Sequence, residues 1–140
     1  MIGRINHIGV ATPSIAESLK MYADLYGAAD VTHIGALPEQ GVSVAFVNLP
    51  NGQIELIEPY GDASPIVAFL EKNPKGGQHH LCFEVDDIIE ARDALRAKGA
   101  TILGTGEPRI GAHGVPVIFV HPKNSGGVLV ELMLKPPAGH

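Results

Sequence analysis

Two histidines and two glutamates stand where the sequence otherwise predicts apolar strands. Glu131 interrupts the apolar segment 128–134, and Glu55 interrupts the segment 53–57 in the same way. His7 and His80 lie in short strand-like segments of their own. A buried carboxylate is costly unless it is paired, protonated or bound to a metal. Imidazole and carboxylate together suit a first-row divalent ion, zinc included, so these residue types predict a metal centre without naming the metal.

Side-chain alternation along the strands selects the four residues and pairs them. On the strand that contains both His79 and His80, only His80 is expected to lie opposite the face that covers a helix. The resulting pairs are His7 with Glu55 and His80 with Glu131, with separations of 48 and 51 residues. Taken singly, a strand histidine or glutamate is more often a surface or hydrogen-bonded residue. The prediction of a metal centre therefore depends on the repetition of the pair.

The elements that must position these pairs also repeat, at an offset of 73 residues. The capping-box patterns Ser14-x-x-Glu17 and Asp87-x-x-Glu90 each predict a helix after a strand. Each helix is followed by three predicted strands, and residues 64–72 read as a linker helix. The strands are expected at about 29–36, 42–49 and 52–58 in the first half, and at about 100–106, 115–121 and 127–134 in the second.

The predicted fold class is therefore α+β, with two tandem βαβββ modules in a single domain of 140 residues. Module 1 is expected at about 1–62, a linker at 63–77 and module 2 at about 78–136.

The composition limits the possible partners and location. A formal charge of −5 and a pI near 5.7 argue against nucleic-acid binding. The single cysteine excludes an internal disulfide and suits a reducing compartment. Neither a signal-peptide pattern nor a bilayer-length apolar segment is visible, so a cytoplasmic protein without membrane contact is expected.

Several ordered motifs resemble the methylmalonyl-CoA epimerase family of the vicinal oxygen chelate superfamily, which also includes glyoxalases, bleomycin-resistance proteins and dioxygenases. The resemblance covers nearly the whole chain. It is carried by Asn6-His7-Ile8-Gly9-Val10-Ala11, Pro38-Glu39-Gln40-Gly41-Val42, Gly76-Gly77-Gln78-His79-His80-Leu81, Ile110-Gly111-Ala112-His113-Gly114 and the segment 121–132.

This resemblance implies a cupped, barrel-like sheet of eight strands around a metal site, in a homodimer. It implies that His7, Glu55, His80 and Glu131 bind one divalent ion per chain, Co²⁺ before Mn²⁺, Ni²⁺ or Zn²⁺. It also implies an isomerase that interconverts (R)- and (S)-methylmalonyl-CoA, with Glu39 and Glu131 as the two catalytic bases. Some members of the family carry Gln where this chain has Glu55, and a second carboxylate is expected to bind the metal more tightly but to leave it a weaker Lewis acid.

Two alternatives remain open at the level of the sequence. A glyoxalase-like lyase would use the same metal and similar proton transfer, although the Pro-Glu-Gln-Gly segment fits the epimerase resemblance better. A small-molecule-binding protein of the same fold would need no metal, and retention of all four ligand residues disfavours it. Fold alone does not separate these functions.

Overall fold

The structure is a computed structural model that describes residues 1–137, and within them it contains eight strands, three α-helices and two 3₁₀ turns. In chain order the elements are β1 (Ile5–Ala11), α1 (Ile15–Tyr26), β2 (Gly35–Leu37), a 3₁₀ turn (Pro38–Gln40), β3 (Val42–Leu49), β4 (Gly52–Pro59), α2 (Ile66–Lys72), β5 (Gly77–Val85), α3 (Ile88–Ala97), β6 (Arg109–Ile110), β7 (Pro116–Val120), a second 3₁₀ turn (Pro122–Asn124) and β8 (Val130–Leu134).

The predicted helix starts are confirmed at both capping boxes. The Ser14 side chain accepts a hydrogen bond from the Glu17 backbone N–H at the start of α1, at 3.2 Å. Asp87 accepts the equivalent bond from Glu90 at the start of α3, at 2.9 Å. Each cap satisfies a backbone N–H that has no partner inside its own helix.

The first compact unit comprises residues 7–79. Its strands lie in the order β2-β3-β4-β1, with β1 parallel to β4 and the other neighbours antiparallel. One face of this sheet packs against α1 through an apolar core of Ile15, Ala45, Val47 and Leu56. Glu55 has the opposite parity to Leu56, so it lies on the other face of β4.

Among the described residues, the second unit comprises residues 1–6 and 80–137, with strands in the order β5-β8-β7-β6. Its helix-side core contains Val85, Ile88, Ala91, Ile102, Ile118, Val120 and Leu132. The N-terminal residues are held by Glu84 of β5: the Gly3 N–H donates to its carbonyl at 2.7 Å, and the Asn6 side-chain amide donates to its carboxylate at 2.9 Å.

The predicted fold class is confirmed, because each half contains four strands and a helix follows the first strand of each half. Within residues 1–137, no helix is long and apolar enough to cross a membrane.

Two predicted strands are wrong in extent. The segment 29–36 forms only β2 and a single bridge between Val31 and Val47. The segment 100–106 forms one bridge at Ile102, and the regular strand lies later, as β6. The reason is visible at Gly104 and Gly106, whose φ values of 67° and 81° turn the backbone out of the extended conformation.

Candidate metal centre

The first buried pair joins β1 to β4. Nε2 of His7 lies 3.6 Å from Oε1 of Glu55, and the two side chains are 1% and 8% exposed. Phe46 of β3 lies directly opposite Glu55 in the strand register, and its ring meets the His7 ring edge-on at 6.1 Å. The pair is therefore held between regular strands and has an aromatic neighbour.

The second pair repeats this arrangement on β5 and β8. Nε2 of His80 lies 3.1 Å from Oε1 of Glu131, with side-chain exposures of 3% and 9%. Phe119 of β7 is the register partner of Glu131, and its ring meets the His80 ring edge-on at 5.8 Å. Phe46 and Phe119 were not identified from the sequence, but they lie 73 residues apart, and the repeat could have found them.

All four side chains are buried, and each offers one ligand atom, an imidazole nitrogen or a carboxylate oxygen. Within each pair the nitrogen and the oxygen are 3.6 Å and 3.1 Å apart. Burying two carboxylates without a compensating positive charge would be costly. A donor set of two imidazoles and two carboxylates fits a divalent metal ion, so the residues present suit the cofactor predicted from the sequence.

Glu39 is placed differently. It lies in the 3₁₀ turn between β2 and β3, is exposed, and belongs to neither buried pair. The turn is closed by a hydrogen bond from the Gly41 N–H to the Pro38 carbonyl, at 3.1 Å. A solvent-facing carboxylate on a fixed turn can receive or deliver a proton when a substrate covers it. Its catalytic role stays a prediction.

The sequence interpretation missed a third buried carboxylate, Glu84, which is 5% exposed. It lies on β5 with the same parity as His80, so alternation along that strand could have indicated it. Its carboxylate accepts the hydrogen bond from Asn6, and the Arg4 guanidinium lies 3.8 Å away. The Asn6 amide and the Arg4 guanidinium compensate the buried carboxylate of Glu84.

Comparison with known proteins assigns the chain to a family. The sequence model of the glyoxalase/bleomycin resistance protein/dioxygenase superfamily matches residues 6–119. The chain belongs to this superfamily. The resemblance inferred from the sequence motifs is thereby confirmed.

Members of this superfamily with related names are similar over almost the whole chain. The ethylmalonyl-CoA/methylmalonyl-CoA epimerase of Cereibacter sphaeroides is 53% identical over 135 residues, which cover 94% of this chain and 98% of the relative. Mouse mitochondrial methylmalonyl-CoA epimerase is 52% identical over 131 residues, covering 94% of this chain and 72% of the relative.

A solved structure of a Streptomyces coelicolor methylmalonyl-CoA epimerase variant, in complex with 2-nitronate-propionyl-CoA, superposes with a TM-score of 0.89 at 32% identity. The match covers 98% of this chain and 97% of that one.

Proposed function

We propose that this protein is an isomerase that interconverts (R)- and (S)-methylmalonyl-CoA. The observation that carries the proposal is the buried group His7, Glu55, His80 and Glu131, in a chain that is 53% identical to a relative named as an epimerase of ethylmalonyl-CoA and methylmalonyl-CoA. The reaction removes the proton at C2, beside the thioester, and returns one on the opposite face. Its barrier lies in the negative charge that develops on the thioester oxygen.

The same four residues would hold one divalent metal ion, with Co²⁺ preferred and Mn²⁺, Ni²⁺ or Zn²⁺ as alternatives. A bound divalent ion supplies Lewis-acid stabilisation of the developing enolate charge, an effect worth several kcal/mol. The two phenylalanine rings beside the histidines keep the surroundings apolar, and electrostatic interactions are stronger there than in water.

Inversion requires two proton-transfer groups, one on each face of C2. Glu39 serves one face and Glu131 the other. In each direction the C2–H bond breaks as one carboxylate takes the proton, and a new C2–H bond forms with a proton from the other carboxylic acid. The exposed position of Glu39 supports exchange of its proton with solvent between turnovers. A positioned acid or base of this kind contributes roughly 10²- to 10⁴-fold.

The protein is further proposed to act as one domain of 140 residues, in a cytoplasmic homodimer. These three features rest on the sequence analysis and the resemblance to the family. A glyoxalase-like lyase and a metal-free binding protein are less well supported, because the similar proteins carry the names of CoA-thioester epimerases.

The proposal is tested by starting from a single enantiomer of methylmalonyl-CoA and following the appearance of the other. Protein loaded with Co²⁺ should catalyse the conversion, and chelator-treated protein should lose both the activity and part of its thermal stability. A ligand at about 100 times its Kd stabilises by about 2.7 kcal/mol. His80→Ala should abolish the metal-dependent rise in melting temperature, whereas His33→Ala, at an exposed position, should retain it. Metal-loaded protein without epimerisation would reject the proposal.

A further inference from the structure

We propose that Gly111 is a positioning residue for one of the two bases: its lack of a side chain leaves Glu131 the room to turn its carboxylate toward the substrate carbon. This inference rests on the proposed function, in which Glu131 exchanges a proton with C2. It identifies a residue that the reaction needs in addition to the two proton-transfer groups.

The backbone of Gly111 is fixed next to Glu131. Gly111 follows β6 directly, and its N–H donates to the Val115 carbonyl at 3.0 Å. Its own carbonyl accepts a hydrogen bond from the Gly114 N–H, also at 3.0 Å. Two hydrogen bonds across one short turn hold the backbone of Gly111 in place.

Backbone conformation does not require glycine at this position. The left-handed residue of the turn is Gly114, with φ of 75°, whereas Gly111 is not among the positive-φ glycines of the structure. A glycine with ordinary backbone angles is commonly found where another group approaches closely. The groups here are identifiable: a Cβ on Gly111 would lie 2.9 Å from Cγ1 of Val117 and 3.7 Å from Oε2 of Glu131.

The two oxygens of Glu131 therefore have different surroundings. Oε1 lies 3.1 Å from Nε2 of His80, while Oε2 lies 3.7 Å from the position that a Cβ on Gly111 would take. A methyl group on Gly111 would be in van der Waals contact with Oε2, at 3.7 Å, so it would block rotation of the carboxylate toward Gly111. An added Cβ would restrict the movement without removing a proton-transfer group or a ligand atom.

Close packing against Val117 could by itself explain why residue 111 is a glycine. A second substitution, at Val117, separates this packing effect from the proposed effect on Glu131. Val117→Ala removes the atom that clashes, at a site that is buried with Cys82 and Met133 and lies outside the proposed catalytic groups. The double variant Gly111→Ala/Val117→Ala then places a methyl group beside Oε2 with the clash relieved. Its matched control is Val117→Ala alone. Bound metal and melting temperature are measured for each.

Each protein is given one pure enantiomer of methylmalonyl-CoA in D₂O, and two rates are followed by NMR and chiral analysis: loss of the C2–H signal and inversion. With the enantiomer that Glu39 deprotonates, the double variant should lose C2–H as fast as Val117→Ala does, because Glu39 returns deuterium to the same face. The rate of inversion should fall at least about tenfold, because proton return to the opposite face depends on Glu131. A positioned acid or base typically contributes roughly 10²- to 10⁴-fold.

Equal inversion rates in the double variant and its control would overturn the role of Gly111. A parallel fall of exchange and inversion for both enantiomers, with loss of metal or a lower melting temperature, would show a purely structural role and also overturn it. Gly111→Ala alone provides a second comparison, because Val117 must shift there and the same split between exchange and inversion is still expected. Failure of the proposed function has a different signature: no C2–H exchange from either enantiomer in the unsubstituted protein.

Discussion

Gly41 and Gly114, 73 residues apart, close equivalent turns with φ values of 70° and 75°. Each donates its N–H to the carbonyl three residues earlier, at 3.1 Å to Pro38 and at 3.0 Å to Gly111. The repeat thus extends from the strands and helices to the conformation of the loops. At the same offset Glu39 corresponds to Ala112, so the first turn carries a carboxylate and the second does not.

These two glycines should differ in their tolerance of a side chain. Gly114→Ala should cost about 1–2 kcal/mol of unfolding free energy, the cost of a left-handed L-residue, because its Cβ would meet nothing within 4 Å. Gly41→Ala should cost more, since its Cβ would lie 3.2 Å from Cα of Ser64. Urea unfolding measures both, with Gly35→Ala as a control at an open position without positive φ. Equal costs for the two turns would contradict the packing difference.

Glu39→Gln should reduce epimerisation by roughly 10²- to 10⁴-fold, the range expected for a positioned acid or base. The metal content should stay at its original value, because Glu39 belongs to neither buried pair. Epimerisation of each enantiomer and metal analysis of the purified protein provide the measurement. Glu71→Gln, which neutralises another exposed helical carboxylate, is the matched control and should leave both quantities unchanged. An unchanged rate in Glu39→Gln would remove this residue from the mechanism.

Glu55→Gln should separate metal affinity from catalysis. Two carboxylates cancel the formal charge of a divalent ion, so replacing one with an amide should weaken metal binding. Loss of a residue that only supports a ligand typically lowers metal affinity by roughly 10- to 100-fold, and loss of a charged ligand should lower it by at least as much. The remaining positive charge should increase the rate per bound ion. Metal titration gives the affinity, and the rate at saturating metal gives the second quantity. Tighter binding in the variant would show that Glu55 does not act as a charged ligand.

Asn6→Ala should destabilise the protein by about 1.5–3 kcal/mol, the typical contribution of a hydrogen bond to a charged group. The bond it removes, at 2.9 Å to the buried carboxylate of Glu84, also holds the N-terminal residues against β5. Asn51→Ala, in the exposed turn between β3 and β4, should change stability by less than about 0.5 kcal/mol. Urea unfolding of the two variants compares them directly, and similar midpoints would argue against a structural role for the Asn6 bond.

The sequence predicted the fold through local signals that repeat. The capping boxes at Ser14 and Asp87 located both helix starts, because side-chain caps act over three residues and need no distant contact. Alternation of side chains along β5 likewise predicted that His80 lies on the buried face opposite the helix, because this alternation is also a local property of the chain. The edge strands were harder to predict, since β2 and β6 are short and depend on pairing with β3 and β7.

The surroundings of the four proposed metal ligands could be predicted less fully from the sequence. The pairing of Phe119 with Glu131, and the bond between Asn6 and Glu84, depend on strand register over long sequence separations. The sequence contains no local sign that Gly111 faces a carboxylate, because that approach is set by the turn and by Val117. The types of the proposed ligand residues could therefore be predicted from the sequence, whereas the residues that surround them could be identified only from the structure.

The most direct test of metal-assisted enolisation is proton NMR of methylmalonyl-CoA in D₂O with a catalytic amount of metal-loaded protein. Protein treated with EDTA is the control. Loss of the C2–H signal well above the uncatalysed rate, abolished by EDTA and restored by Co²⁺, is the predicted result. Persistence of the C2–H signal with protein shown to contain bound metal would contradict the account and would favour a glyoxalase-like lyase.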